Sequence, residues 1–176
     1  MDSPDIVFKY LAKEDVEKAH KLEVEGYHPD EAASLEALNY RFQQAGDLFL
    51  GAYDKNTKCL VGFVVSTLSK APLLPEESMS KHDPDGDNIC IHSVCVSKDL
   101  RRRGVALSML KRYVEDMKAR NKELQAKGRP PAYSRLTLIS RTYLGDLYSS
   151  AGFKYVGVSP VVHGPDPWLD YKLELQ

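Results

Sequence analysis

Apolar and polar positions alternate at the start of the chain, and DIVFKYL, residues 5–11, reads as a first strand. In KEDVEKAHKLEVEGY the apolar residues Val16, Ala19, Leu22 and Val24 recur at helical spacing with charges between them. HPDEAAS ends that helix, since the residue before Pro29 is pushed out of the helical region. Ser34 has the side chain of a helix cap, and SLEALNYRFQQAG predicts a second helix stopped by Gly46. LFLGAYDKNTKCLVGFVVSTL predicts a hairpin that turns at DKNTK. SKAPLLPEESMSKHDPDGD is rich in Pro, Ser and Asp and predicts a loop, with a short helical turn around PEESMSKH. A strand over 88–96 and a helix from about Gly104 to about Leu124 follow, then the strand RLTLIS. TYLGDLYSSAGF predicts a short helix ended by Gly152, and FKYVGVSP and LDYKLEL predict two last strands. Strands outnumber helices, and a strand–helix–strand crossover lies in the centre. The expectation is one domain, residues 1–176, with three layers around a mixed sheet.

Composition narrows the function classes. At 176 residues and 43% hydrophobic the chain can bury a real core. A net charge of −1 gives no bulk electrostatic case for nucleic acid or an anionic membrane. No apolar run approaches membrane-spanning length, and MDSPDIVF lacks a signal-peptide pattern. The three cysteines are an odd number, two of them (Cys90 and Cys95) within the strand 88–96, and no metal-ligand spacing appears. Reduced thiols in a cytoplasmic protein without a metal are expected.

The stretch NICIHSVCVSKDLRRRGVALSML carries the chemistry. A strand stops at a polar turn, three arginines and a glycine follow, and a helix begins. The first amides of a helix lack internal partners and sit at the positive end of its dipole. Gly104 and Ala106 leave those amides open, and Arg101, Arg102 and Arg103 add full charges. That combination predicts a phosphate cradle; a basic turn that merely caps a surface helix has the same residues. No Gly-Lys-Ser/Thr follows, so it is not a P-loop, and the three spaced glycines of a dinucleotide site are missing.

Arg101-x-x-Gly104-x-Ala106 at a strand-to-helix turn resembles the Arg/Gln-x-x-Gly-x-Gly/Ala signature of the GNAT N-acetyltransferases. LYSSAGF, Leu147 to Phe153, resembles that family's second helix segment, and the order of elements fits over nearly the whole chain. EESMSKHDPDGDNICIHSVCVSKDLRRRGVA is similar to the arylalkylamine branch of the family; EGYHPDEAASLEALNYRF is similar to that branch and to fungal polyamine acetyltransferases.

The resemblance implies a GNAT fold, an α/β arrangement whose mostly antiparallel mixed sheet splays at its central strands. It implies acetyl-CoA as co-substrate, its pyrophosphate on Arg101, Arg102, Arg103, Gly104, Val105, Ala106 and Leu107. The pantetheine arm would pair with the strand at Val94, Cys95 and Val96 and reach Tyr148. His92 becomes the general base, with an ordinary pKa near 6.5 that suits the task, and Tyr148 the acid for the leaving thiolate. A core histidine and a packing tyrosine are the competing readings. Strand alternation puts Cys90, His92, Val94 and Val96 on one face unless a bulge intervenes. Cys90 stands where the branch has a second histidine, and Arg141 where it has an acid.

Tyr27, His28, Pro29 and His82 are the expected acceptor contacts, and Trp168 could join Tyr27 in an aromatic wall. The acceptor expected is a small amine of the serotonin or tryptamine type, taken by direct transfer in a monomer or weak dimer. Asp30 and Glu31 leave a polyamine open, a non-catalytic acyl-CoA-binding module is a third reading, and an acyl-cysteine route through Cys90 or Cys95 a minor one.

Overall fold

The computed structural model describes residues 5–175. Its elements are β1 (Ile6–Tyr10), α1 (Val16–Gly26), α2 (Leu35–Ala45), β2 (Phe49–Asp54), β3 (Leu60–Ser69), β4 (Asn88–Val96), α3 (Val105–Ala126), β5 (Arg135–Ser140), α4 (Gly145–Ser150), β6 (Lys154–Val158) and β7 (Leu169–Glu174). Short 3-10 turns occupy Glu76–Met79 in the long loop and Thr142–Leu144 before α4. The described residues form a seven-stranded sheet in the order β1-β2-β3-β4-β5-β7-β6. Every pairing is antiparallel except β4 with β5, which the α3 crossover makes parallel.

Local chemistry sets the boundaries. The Ser34 hydroxyl accepts from the Ala37 amide at 3.1 Å and caps α2. Gly104, at φ +79°, makes the left-handed turn into α3, and Gly152, at φ +99°, ends the α4 segment. α3 drives Met109, Leu110, Tyr113 and Met117 into the sheet, fully buried, each worth roughly 2 kcal/mol of transfer energy. Its Asn121 then pairs with both the N–H and C=O of Tyr133, fixing the return to β5.

Two apolar layers result. Val64, Ile91, Val94 and Val96 meet α3 and α4 on one face; Phe63, Val65 and Cys95 meet α1 and α2 on the other. On α1 the buried stripe is Val16, Ala19 and Glu23, while Val24 is exposed. The expected stripe therefore fails at its last member, because the 16–19–23 spacing carries Glu23 inward in its place.

Two irregularities in β4 shape the centre. Its register against β3 jumps from Val65↔Ser93 to Ser66↔Ile91, leaving His92 as the extra residue of a bulge. Its pairing with β5 covers only Asn88–Ile91 against Arg135–Leu138. Beyond that point the strands part, and residues 92–96 have a free edge. The sheet is the splayed GNAT fold.

Candidate active site at the splayed strands

The parted strands open a cleft of about 770 Å³. Ser93, Val94, Cys95 and Val96 form one wall and Leu138, Ile139 and Ser140 the other. Tyr27, His28, Asp30 and Glu31 close one end, with His163, Asp166 and Trp168; Arg101, Ala106, Leu147 and Tyr148 line the other parts.

His92 lies where the strand bulges, deep in this cleft. The Thr67 hydroxyl donates its single proton to the Ser78 carbonyl at 2.7 Å. His92 Nε2, 2.7 Å from the same oxygen, must therefore carry a hydrogen and donate it. That fixes the tautomer and leaves the lone pair on Nδ1, a buried atom with no partner among the described residues. Burial, and then the positive charge of Arg41, hold the imidazole well below its ordinary pKa, so it is neutral at pH 7. The bulge corrects the expected strand face. His92 points to the side of Thr67, but Val94 and Val96 pack toward α3, and it is Ser93 and Cys95 that face α1.

Tyr148 is buried on α4, its ring held by Phe153 at 6.1 Å and Tyr171 at 5.9 Å. Burial first, with Cys95 and Tyr143 beside it, pushes the phenol well above its usual pKa and keeps it protonated. Between these two groups lies the free edge of β4. There the Val94 N–H donates to the Tyr27 oxygen at 3.1 Å, and the Tyr27 hydroxyl donates to the Val94 carbonyl at 3.3 Å.

The turn at residues 101–104 is exposed, and no side chain caps the start of α3. The first helical amide used internally is that of Ser108, which donates to Gly104. The amides of Val105, Ala106 and Leu107 are thus open, and a Cβ at Gly104 would meet nothing within 4 Å. Of these residues Arg101 and Ala106 line the cleft itself.

At the other end Arg141 gathers three segments. Its guanidinium pairs with Glu31, donates to the carbonyls of Asp166 at 2.9 Å and His163 at 3.3 Å, and stacks on Trp168 at 3.9 Å. His28 is exposed and bonded to Asp30.

Pro29 and His82 do not line the cleft. His82 Nδ1 accepts from the Leu68 amide at 3.0 Å, a structural role for its ring. Cys90 is also outside the cleft; burial lifts its thiol to about 11, and burial with Glu23 lifts that of Cys95. Neither is a thiolate, which disfavours an acyl-cysteine. Among the described residues no His/Cys/Asp/Glu cluster could hold a metal ion, and no helix is long and apolar enough to cross a membrane.

Sequence reasoning missed Arg41 and Glu23. Arg41 sits in the buried stripe of α2 between Leu38 and Ala45, and Glu23 in that of α1. A charge at a stripe position was the available signal. Glu23 takes hydrogen bonds from the Ser93 hydroxyl and, at 3.4 Å, the Cys95 thiol, and burial raises its pKa.

Comparison with known proteins agrees with this geometry. The chain is 25% identical over 142 residues to serotonin N-acetyltransferase of Mesocricetus auratus, covering 81% of this chain and 63% of that protein. It is 24% identical over 176 residues to that of Macaca mulatta, covering 98% and 80%. The loading GNATL domain of CurA from Lyngbya majuscula superposes with a TM-score of 0.79 at 10% identity, over 97% of this chain and 98% of that one. YncA of Salmonella typhimurium, solved with its cofactor acetyl-CoA, superposes with a TM-score of 0.64 at 12% identity, over 97% and 94%. Residues 13–132 match the profile of the Acetyltransferase (GNAT) family. The chain belongs to the GNAT family of acetyltransferases.

Proposed function

We propose that the protein transfers the acetyl group of acetyl-CoA to the primary amine of a small molecule, with arylalkylamines of the tryptamine and serotonin type as the preferred acceptors. The observation that carries this reading is the N–H and C=O of Val94, left without a strand partner on the β5 side, inside the cleft that the His92 imidazole and the Tyr148 phenol also line.

The residues present suit the donor. The open amides at Val105, Ala106 and Leu107, flanked by Arg101, Arg102 and Arg103, suit a pyrophosphate. The free edge at Val94, Cys95 and Val96 suits an extended amide-bearing arm. The Val94 N–H then donates to the thioester carbonyl and stabilises the charge that builds there. As the amine nitrogen bonds to the carbonyl carbon, the C–S bond breaks and Tyr148 gives its proton to the departing sulfur. The amine gives up its proton to His92 Nδ1, through water because that atom is enclosed.

Tyr27, Met79 and Trp168 supply apolar and aromatic wall for an aryl group. A polyamine is the second reading, favoured by Asp30, Glu31 and Asp166 at the same end, although Arg141 neutralises Glu31. The test is release of free coenzyme A with tryptamine, with spermidine and with no amine. Tryptamine should give the highest kcat/KM. A spermidine preference would move the assignment to polyamines, and acetyl-CoA binding without release would leave only a binding module.

A further inference from the structure

The last turn of α1 is fastened to the free edge of β4 at three successive residues. Glu23 takes the hydroxyl of Ser93 and the thiol of Cys95. Tyr27, one turn later, accepts from the Val94 N–H and donates to the Val94 carbonyl. Because that N–H meets the phenol oxygen at 3.1 Å, it is not spent on β3. It is a strand-edge donor with no strand to pair with on that side, and Tyr27 satisfies it here. In the acetyl-transfer reading, on which this inference rests, the same N–H holds the thioester carbonyl. One N–H cannot serve both.

We propose that Tyr27 is a positioning residue that couples the two substrates. Its hydroxyl stands in for the thioester carbonyl on Val94 in the unliganded protein, acetyl-CoA displaces it, and the released ring becomes part of the acceptor wall. The local backbone suits such a move. Tyr27 is the first residue past α1, already extended at φ −112° and ψ 152°. Its anchor Glu23 stays behind on Ser93 and Cys95. Gly26 before it is packed at ordinary contact: a Cβ there would meet the Arg101 guanidinium at 3.5 Å and the Cys95 sulfur at 3.9 Å, so the junction lies against both the basic turn and the strand edge. The loop beyond it carries Glu31 to the Arg141 guanidinium, so movement at Tyr27 is passed to the acceptor end. Burial first, then the Cys95 thiol, Tyr148 and Glu23, hold the phenol well above its usual pKa, with Arg41 as the nearby cation, so it acts as a neutral hydrogen-bonding group near neutral pH.

The test is calorimetric titration of acetyl-CoA into wild type, Tyr27→Phe and Tyr27→Ala, with amine KM and kcat measured on each. Tyr27→Phe removes the competing hydroxyl and keeps the ring. It should bind acetyl-CoA about tenfold more tightly, or about 1.4 kcal/mol, with amine KM within about threefold of wild type. That size matches the net worth of one or two hydrogen bonds. Tyr27→Ala should keep the tight acetyl-CoA binding and raise amine KM by about tenfold or more, with a smaller change in kcat. Unchanged or weaker acetyl-CoA binding by Tyr27→Phe overturns the proposal while leaving the acetyltransferase reading intact. Failure of the wild type to bind acetyl-CoA removes that reading, and the proposal with it. A measurement on the wild type guards against a misfolded variant: the ring ¹³Cζ resonance of Tyr27 should shift on saturation with acetyl-CoA, and an unmoved resonance overturns displacement.

Discussion

His92 shows how much a single residue depends on its neighbours. Thr67 and the Ser78 carbonyl choose its tautomer, and burial with Arg41 makes it a weak base that is neutral at physiological pH. The sign of the pH dependence follows. A lowered pKa puts the acidic limb of kcat/KM below the usual histidine value of about 6.5, so any rise above pH 7 belongs to the substrate amine. Arg41→Leu removes the cation that disfavours the imidazolium. The limb should move to higher pH, and pH–rate profiles of the two proteins check it. Tyr148 carries the complementary prediction. Its raised pKa keeps the proton in place, so the wild type should show no alkaline loss of kcat from this group up to about pH 9.5. Tyr148→Phe should lower kcat by about 10²-fold while acetyl-CoA still binds, as single-turnover and binding measurements would register. That His92 and Tyr148 should share one site is legible from motif position, and both line the cleft. The tautomer of His92 and the nearness of the Arg41 charge are not legible, because Thr67, Ser78 and Arg41 come to His92 from three separate stretches of chain.

At the level of elements, what the sequence announces is what short-range chemistry determines. The Ser34 cap, the Gly104 turn and the period of α3 are local, and all three appear as read. The bulge at His92 is not announced, since NICIHSVCV reads as a buried apolar run broken only by the adjacent polar pair His92 and Ser93, and the extra residue shows only in the pairing with β3 across the ladder. α3 offers a direct test of its role. Gly104→Asp puts a carboxylate beside the open amides of the first turn. It should weaken acetyl-CoA by at least tenfold, about 1.4 kcal/mol, in a protein that calorimetry finds folded, allowing for a strain cost of about 1 kcal/mol at φ +79°. The β5 end carries another. Arg141 ties the loop after α1 to the segment before β7. Arg141→Ala should raise amine KM by about tenfold with little effect on acetyl-CoA affinity, because the lost contacts lie at the acceptor end. Comparable losses for both substrates would place Arg141 in the fold rather than in the acceptor wall.

Across the whole molecule the two ends of the cleft are joined through the gap between β4 and β5. The order of strands and helices is legible in the chain, and with it the GNAT fold. The way the gap is filled is not legible, because Tyr27 just past α1 and Val94 on β4 are far apart in sequence and meet only when the sheet forms. Binding at the gap should stabilise the whole. At acetyl-CoA concentrations near one hundred times Kd the linkage amounts to about 2.7 kcal/mol, visible as a rise in Tm. Hydrogen exchange should slow at residues 101–107 and change at 27–34 together, since the same ligand touches one and displaces the other.

The central claim is direct acetyl transfer to an amine with His92 as the base, and the pH dependence of kcat/KM for coenzyme A release by wild type and His92→Gln tests it most directly. Direct transfer predicts a loss of about 10²-fold near neutral pH that narrows as the pH rises and more of the amine is already neutral. Superimposable profiles for the two proteins would contradict it.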